Sequence, residues 1–195
     1  MVTSYCLLDS SRLDLNGKVK THRTNSADAL LKKLYREHSI NYPRFFKMDK
    51  LSKLGVLGIE LISPEIKKYH DDEIALLFIN SDSSLDTDQK HQQTLNENRS
   101  PSPAIFVYTL PNIVLGEIAI RKKWYGENLF ILASEFDFDQ WLKEAALLLT
   151  SGKAKAVVGG WINALGDQLD LRLFFVENHA DIDNFDTQKL KEKWI

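Results

Sequence analysis

The sequence predicts an α/β fold, a mixed and mostly parallel sheet flanked by helices, and three observations predict it. Ile74–Asn80 is an uninterrupted apolar run of strand length, which suits a central parallel strand covered on both faces. Leu129–Ala133 and Ala154–Val158 are two more β-rich runs, separated by a helical stretch long enough to carry the chain from one parallel strand to another. Upstream, apolar residues recur at helical spacing in two further segments.

Taken in order, Ser4–Leu8 is a short apolar strand that turns at Asp9–Ser11, and Leu13–Val19 around Asn16–Gly17 reads as a hairpin. Cys6 falls inside that first strand, where a free cysteine behaves as a small hydrophobe. Ser26–His38 carries Ala29, Leu30, Lys33, Leu34 and Glu37 in helical order, and Tyr42–Pro43 ends it. Leu51, Leu54, Leu57 and Leu61 mark a second helix to about Ile62, with Gly55 and Gly58 admitting a close neighbour. Met48 and Asp49 in front of it read as a core contact and a cap. The polar turn Tyr69–Glu73 leads into Ile74–Asn80, and Ser81–Ser84 then loosens the chain. Residues 81–103 are predicted to be a polar loop or insertion, because Leu85–Arg99 is rich in Gln, Asn and Asp. His91 within it has no partner at metal-ligand or triad spacing and reads as solvated.

Behind the turn residues Ser100–Pro103, Ala104–Thr109 is expected to be a buried strand, as is Leu129–Ala133 behind Gly126–Asn128. Asp137 followed by Gln140 is a capping box, and Trp141, Leu142, Ala145, Leu148 and Leu149 continue a helix that Gly152 stops. That helix begins just past Glu135. Ala154–Val158 is predicted to end at Gly159–Gly160, completing a β-turn-α-β unit. In Leu169–Val176, Leu171, Leu173 and Phe175 alternate with Asp170, Arg172 and Phe174, as in a closing strand. Asn178–Asp186 is acidic and turn-prone, and Gln188–Trp194 is a short final helix.

At 195 residues, 44% hydrophobic and net charge −2, the chain reads as one domain, 1–195, with a substantial core. Scattered basic residues at this charge give no footprint for nucleic acid or anionic lipid. The single cysteine excludes an internal disulfide, no charged-then-apolar leader opens the sequence, and no apolar run approaches a membrane span. A cytoplasmic protein with neither a membrane nor a nucleic-acid partner is the expectation. No cofactor is expected: Gly159–Gly160 lacks the G-x-G-x-x-G spacing of a nucleotide loop. Glu135, Asp137 and Asp139 offer oxygens to a hard cation, but a capped first helical turn explains them better, so no metal is expected.

The stretch from Ser100 to Trp161 also carries a more specific pattern. Thr109, Asn112, Gly116 and Ile120 fit T/S-x-x-N-x-x-x-G-x-x-x-I. Gly126–Glu127–Asn128 follows as a turn, then a strand, a strand-to-helix corner, a helix ending at Gly152 and a strand ending in Gly159–Gly160. Met48, Asp49 and Ser52 stand upstream in an M-D-x-x-S segment before a helix. From Met48 to Trp161 this resembles the N-terminal half of the β-ketoacyl synthases, the condensing enzymes of the thiolase superfamily. The resemblance implies a thiolase-like half with helices on both sides of the sheet.

Laid along that pattern, the position of the family's acyl-accepting cysteine falls on Glu135. Condensation needs a thiolate that attacks a thioester and leaves again, and a carboxylate is a poor substitute. The family's C-terminal half brings two catalytic histidines in H-G-T-type and N-x-F-G-F-G-type motifs. None of His22, His38, His70, His91 and His179 lies in such a context. Chain-length-factor subunits also lack the cysteine and act by pairing with an active partner. The resemblance therefore implies a catalytically degenerate, chain-length-factor-like subunit of fatty-acid or polyketide assembly, of the aryl polyene or flexirubin type. Its implied partners are a ketosynthase and an acyl carrier protein, in a homo- or hetero-oligomer. The strand at Leu129–Ser134 is the one that pairs across the two-fold axis in family dimers. Lys122 and Lys123, with Arg121, Lys67, Lys68 and Arg99, are candidate carrier contacts, although a helix dipole also favours basic residues at its C-terminus. Two alternatives stand beside this reading: Glu135 as a general base or an aid to decarboxylation of a malonyl thioester, and a binding module that keeps the fold for another purpose.

Overall fold

The computed structural model describes residues 2–62, 66, 69–97, 100–177 and 187–192. Its strands are β1 (Val2–Asp9), β2 (Arg12–Leu15), β3 (Lys18–Thr21), β4 (Ile74–Asn80), β5 (Asn128–Leu132), β6 (Ala156–Leu165) and β7 (Gln168–Glu177). The helices are α1 (Ala27–Glu37), α2 (Lys50–Ile62), α3 (Leu85–Asn96), α4 (Pro103–Phe106), α5 (Ile113–Lys122), α6 (Phe138–Thr150) and α7 (Thr187–Glu192). All strands join one sheet in the order β3-β2-β1-β7-β6-β4-β5.

The sheet is mixed, but its parallel part is smaller than the sequence predicts. Only β4 pairs in parallel, with β5 on one side and β6 on the other, while β1–β2, β2–β3, β1–β7 and β6–β7 are antiparallel. The reason lies in the connections. Asn16–Gly17 and Gly166–Asp167 join neighbouring strands through two residues, and so short a link permits only an antiparallel pair. The predicted closing strand, β7, lies mid-sheet between β1 and β6. The predicted crossover holds: β5, α6 and β6 form a β-α-β unit with β4 between the two parallel strands.

Period-2 side-chain alternation divides β4 between two cores. Leu76 and Phe78 face α1, α2 and α5, whose Leu30, Leu34, Leu54, Leu57, Val114 and Ile118 are buried. Leu77 and Ile79 face α6 and α7, which bury Trp141, Ala145 and Leu190 against Val157 and Phe174. Ser26 caps α1 by accepting the backbone N–H of Ala29 at 3.2 Å. In α2, side chains at Gly55 and Gly58 would collide with Val114 and Leu171, so both glycines set how closely that helix lies. Among the described residues no single helix is long and apolar enough to cross a membrane.

Four further expectations are corrected. Ala104–Thr109 is not a buried strand: Pro103 at the first helical position starts α4, and a 3₁₀ turn, Val107–Thr109, follows with Phe106 and Val107 exposed. Within the predicted 81–103 loop, Leu85–Asn96 forms α3, held by i,i+4 pairs such as Lys90–Asp86 and Gln92–Asn96 rather than by an apolar stripe. His91 is half-buried against Phe106, with ring centroids 5.8 Å apart, not solvated. Gly159–Gly160 does not end its strand. Gly160 lies mid-β6 at φ +138°, with its backbone so close to Arg172 that no side chain fits. Of the predicted last segments, Asn178–Asp186 lies outside the described residues, and α7 covers part of Gln188–Trp194.

Candidate functional site

Five residues, 133–137, turn the chain from β5 into α6, and Glu135 sits at the middle of this corner. The N–H of Ala133 donates to the carbonyl of Asn80 at 2.9 Å, which extends the β4–β5 ladder to the corner's edge. On the other side, the Asp137 carboxylate accepts the N–H of Gln140 at 2.9 Å and caps α6, as the sequence predicts. Trp141 anchors the helix, its indole N–H donating to the carbonyl of Leu77 at 3.0 Å in the interior. Glu135 itself is exposed.

A cavity of about 350 Å³ opens beside the corner, lined by Glu135, Phe136, Asp137 and Phe138, by Leu7, Arg172 and Phe174 of the sheet, and by α7. Among the described residues no histidine lines it. Of the predicted acidic trio, Asp137 is spent as the cap and Asp139 pairs with Lys191 at 2.7 Å. No group of three metal-binding side chains converges among the described residues. Cys6 lies in the opposite core, among the residues that pack under α2, and burial, then Asp14, pushes its thiol well above the ordinary range.

The other motif residues support the frame around this corner. Met48 is buried, and Asp49 accepts the N–H of Ser52 at 2.9 Å and the hydroxyl of Thr87 at 3.2 Å, capping α2. Burial pushes the Asp49 carboxyl up, against the hydrogen bonds from Ser52 and Thr87 that pull it down. Thr109 closes the 3₁₀ turn: its hydroxyl donates to Phe106 at 2.8 Å, and its carbonyl accepts from Ser84 at 2.7 Å. Asn112 precedes α5 without a side-chain cap, and Gly116 faces open space from that helix. Gly126 lets the turn before β5 lie against the backbone of Asp72–Ile74.

The candidate carrier contacts divide. Lys122 pairs with Glu60 at 3.0 Å and Arg121 with the same carboxylate at 2.7 Å, whereas Lys123 is exposed where α5 ends in a left-handed conformation. Lys67, Lys68 and Arg99 lie outside the described residues. β5 is corrected from a buried strand to a sheet edge: Leu129 and Leu132 are 45% and 58% exposed.

Sequence reasoning missed two buried polar constellations. Glu117, 2% exposed within α5, accepts from the Arg44 guanidinium at 2.9 Å and from the Tyr108 hydroxyl at 2.8 Å. Lys50, 7% exposed, pairs with Asp86 at 2.9 Å and also donates to the carbonyl of Gly166. Glu117 lies on α5 among the buried Val114, Leu115 and Ile118, and a carboxylate within that apolar run was the available signal for the first.

No family model matches this sequence, and no curated protein sequence matches it. Solved structures do. The ishigamide ketosynthase/chain length factor aligns over 94% of this chain with a TM-score of 0.67 at 14% identity. A structure of the ketosynthase ApeO in complex with its chain length factor ApeC, from Xenorhabdus doucetiae, aligns over 85% of this chain and 66% of its own, with a TM-score of 0.52 and 15% identity. The AntDE:AntF structure, a type II polyketide synthase acyl-carrier protein in complex with its ketosynthase, aligns over 98% of this chain and 64% of its own, at 0.59 and 11%. The chain spans 63% of the length of the ishigamide protein. At these TM-scores the chain shares the α/β fold of the ketosynthases and chain length factors.

Proposed function

We propose that this chain is a ketosynthase-like accessory subunit of the chain-length-factor kind, without condensing activity of its own. It serves fatty-acid or polyketide assembly of the aryl polyene or flexirubin type in the cytoplasm, paired with a ketosynthase and sharing that enzyme's acyl carrier protein. One observation carries this reading: an exposed carboxylate, Glu135, stands at the strand-to-helix corner where a condensing enzyme of this fold needs a thiolate. The chain's one cysteine is buried in the other core with its thiol held protonated, so it supplies no substitute.

The sheet edges support the pairing. β3, at one end, carries Lys18 and Lys20, the charged residues with which proteins protect an edge from further strands. β5, at the other end, reads Asn128-Leu-Phe-Ile-Leu132, without a charge or a proline, and its outer backbone groups face no strand among the described residues. The three solved structures of similar fold pair a ketosynthase with a chain length factor or an acyl-carrier protein. The absence of any described histidine from the Glu135 cavity weighs against malonyl-thioester decarboxylation by this chain alone.

The test is co-expression with a candidate ketosynthase and carrier protein from the same organism, followed by affinity capture and light scattering. The expected result is a stable complex with the ketosynthase that carries all condensing activity on the partner's cysteine. Release of acetyl product from malonyl-carrier protein by the isolated chain, abolished in Glu135→Ala, would overturn the proposal.

A further inference from the structure

The cavity beside the β5–α6 corner has walls and a rim of different chemistry. Its walls are rings: Phe138 meets Phe174 edge-on at 4.8 Å between centroids, and Phe136 stacks on Phe174 at 6.2 Å. Aromatic faces are negative at the centre and attract cations, more strongly where water is thin. The rim carries five charged side chains: Glu135, Asp137, Asp139, Arg172 and Lys191.

Four of the five are already committed. Asp137 caps α6, Asp139 holds the Lys191 ammonium at 2.7 Å, and Arg172 is gripped by both oxygens of Asp170 at 3.1 and 3.0 Å. Glu135 alone has neither a hydrogen bond nor an ion pair among the described residues. The rim thus already seats one ammonium, Lys191, and keeps one carboxylate unspent over aromatic walls.

We propose that this cavity binds an organic cation, an alkylguanidinium or alkylammonium group, with its charged head on Glu135 and its apolar stem against Phe136 and Phe138. With Arg172 and Lys191 already paired, an anion would meet the one unspent charge, the Glu135 carboxylate, and an uncharged apolar guest would strip water from Glu135 without replacing it. The space is that of about a dozen waters at roughly 30 Å³ each, enough for a short alkylguanidinium ion. The proposal is independent of any pairing through β5, because every residue it uses belongs to one chain.

The probe is n-butylguanidinium, titrated into the full chain and read by the fluorescence of Trp141 and Trp161, whose rings lie 6.1 Å from Phe138 and 6.0 Å from Phe136. Saturable binding is expected, weakened about fivefold in Glu135→Gln and in Phe138→Leu and weakened by salt, with no comparable response to butyrate or n-butanol. Glu135 is exposed, so Glu135→Gln folds whatever Phe138→Leu does. Unchanged affinity in Glu135→Gln, or butyrate binding as tightly as the cation, overturns the proposal. A parallel titration with acetyl-Gly-Arg-Gly-amide separates two sources: tighter binding of the peptide assigns the head group to a partner's arginine, and tighter binding of butylguanidinium assigns it to a free amine-type ligand. Ketosynthase capture is measured separately, so either proposal fails without the other.

Discussion

The indole of Trp141 and the carbonyl of Leu77 meet in a buried hydrogen bond of 3.0 Å that ties the beginning of α6 to the middle of β4. The helix start, and with it the Glu135 corner, is thereby held from inside the sheet. Trp141→Phe keeps most of the ring packing but removes the donor, and is expected to cost about 1–3 kcal/mol. Trp141→Ala also leaves a cavity and should cost about 3–5 kcal/mol. Urea unfolding of the three proteins checks the order, and a Phe variant as stable as the parent would show the bond to be dispensable.

Asp86 links three parts of the chain through Lys50, Lys90 and the N–H of Gly166, the last at 3.0 Å. Burial pushes its carboxyl up, but hydrogen bonds from Lys90 and Lys50 outweigh that and hold it below the ordinary range. With the folded value below the unfolded one, the stabilisation is present above the ordinary aspartate value of about 3.9 and is lost as pH falls through the folded value. Asp86→Asn is expected to be roughly 3 kcal/mol less stable near neutrality, because Lys50 is left buried, and to show a flatter loss of stability below pH ~4. Urea midpoints between pH 7 and pH 2 give both quantities.

Asp49 has the opposite sign. Its carboxyl is pushed up by burial, so the folded state holds the proton longer than the unfolded chain and stability falls as pH rises from the unfolded toward the folded value. Asp49→Asn keeps an oxygen for the Ser52 N–H and should gain on the parent as pH is raised through that window. Asp49→Ala loses the cap, at a cost of about 1 kcal/mol at every pH. A parallel pH series of thermal melts distinguishes them.

Leu132, 58% exposed on β5, offers a variant that separates association from folding. Leu132→Lys should change stability by no more than about 0.5 kcal/mol while abolishing capture of the ketosynthase, because it puts a protecting charge on the bare edge. Unimpaired capture would place the contact elsewhere.

What could be read from the sequence was local. The Asp137 cap of α6, the Asn16–Gly17 hairpin and the apolar run of β4 each carry their own signal within a few residues and are found where they were expected, although the Gln140 side chain turns to Glu144 at 2.8 Å and leaves the predicted capping box half formed. Properties set by neighbours were not legible. Ile105 to Tyr108 have strong β-propensity, yet Pro103 and the hydrogen bonds from Ile105 and Phe106 to the carbonyl of Ser102 wind them into a turn. Gly159–Gly160 signals a break by composition, but the crowding by β4 and β7 that requires those glycines comes from strands remote in sequence. At the candidate site the corner was legible and its surroundings were not: Phe174, Arg172 and Lys191 reach Glu135 only through the sheet order and the placement of α7.

The two rims of the sheet differ, and that difference limits how far assembly can go. A surface that recruited strands at both ends would propagate, copy upon copy, into a filament. Here the lysine-bearing strand β3 protects one end, so the proposed recruitment at β5 would stop after a single addition. A partner joining there would form a closed pair, its stoichiometry limited by the composition of the opposite rim.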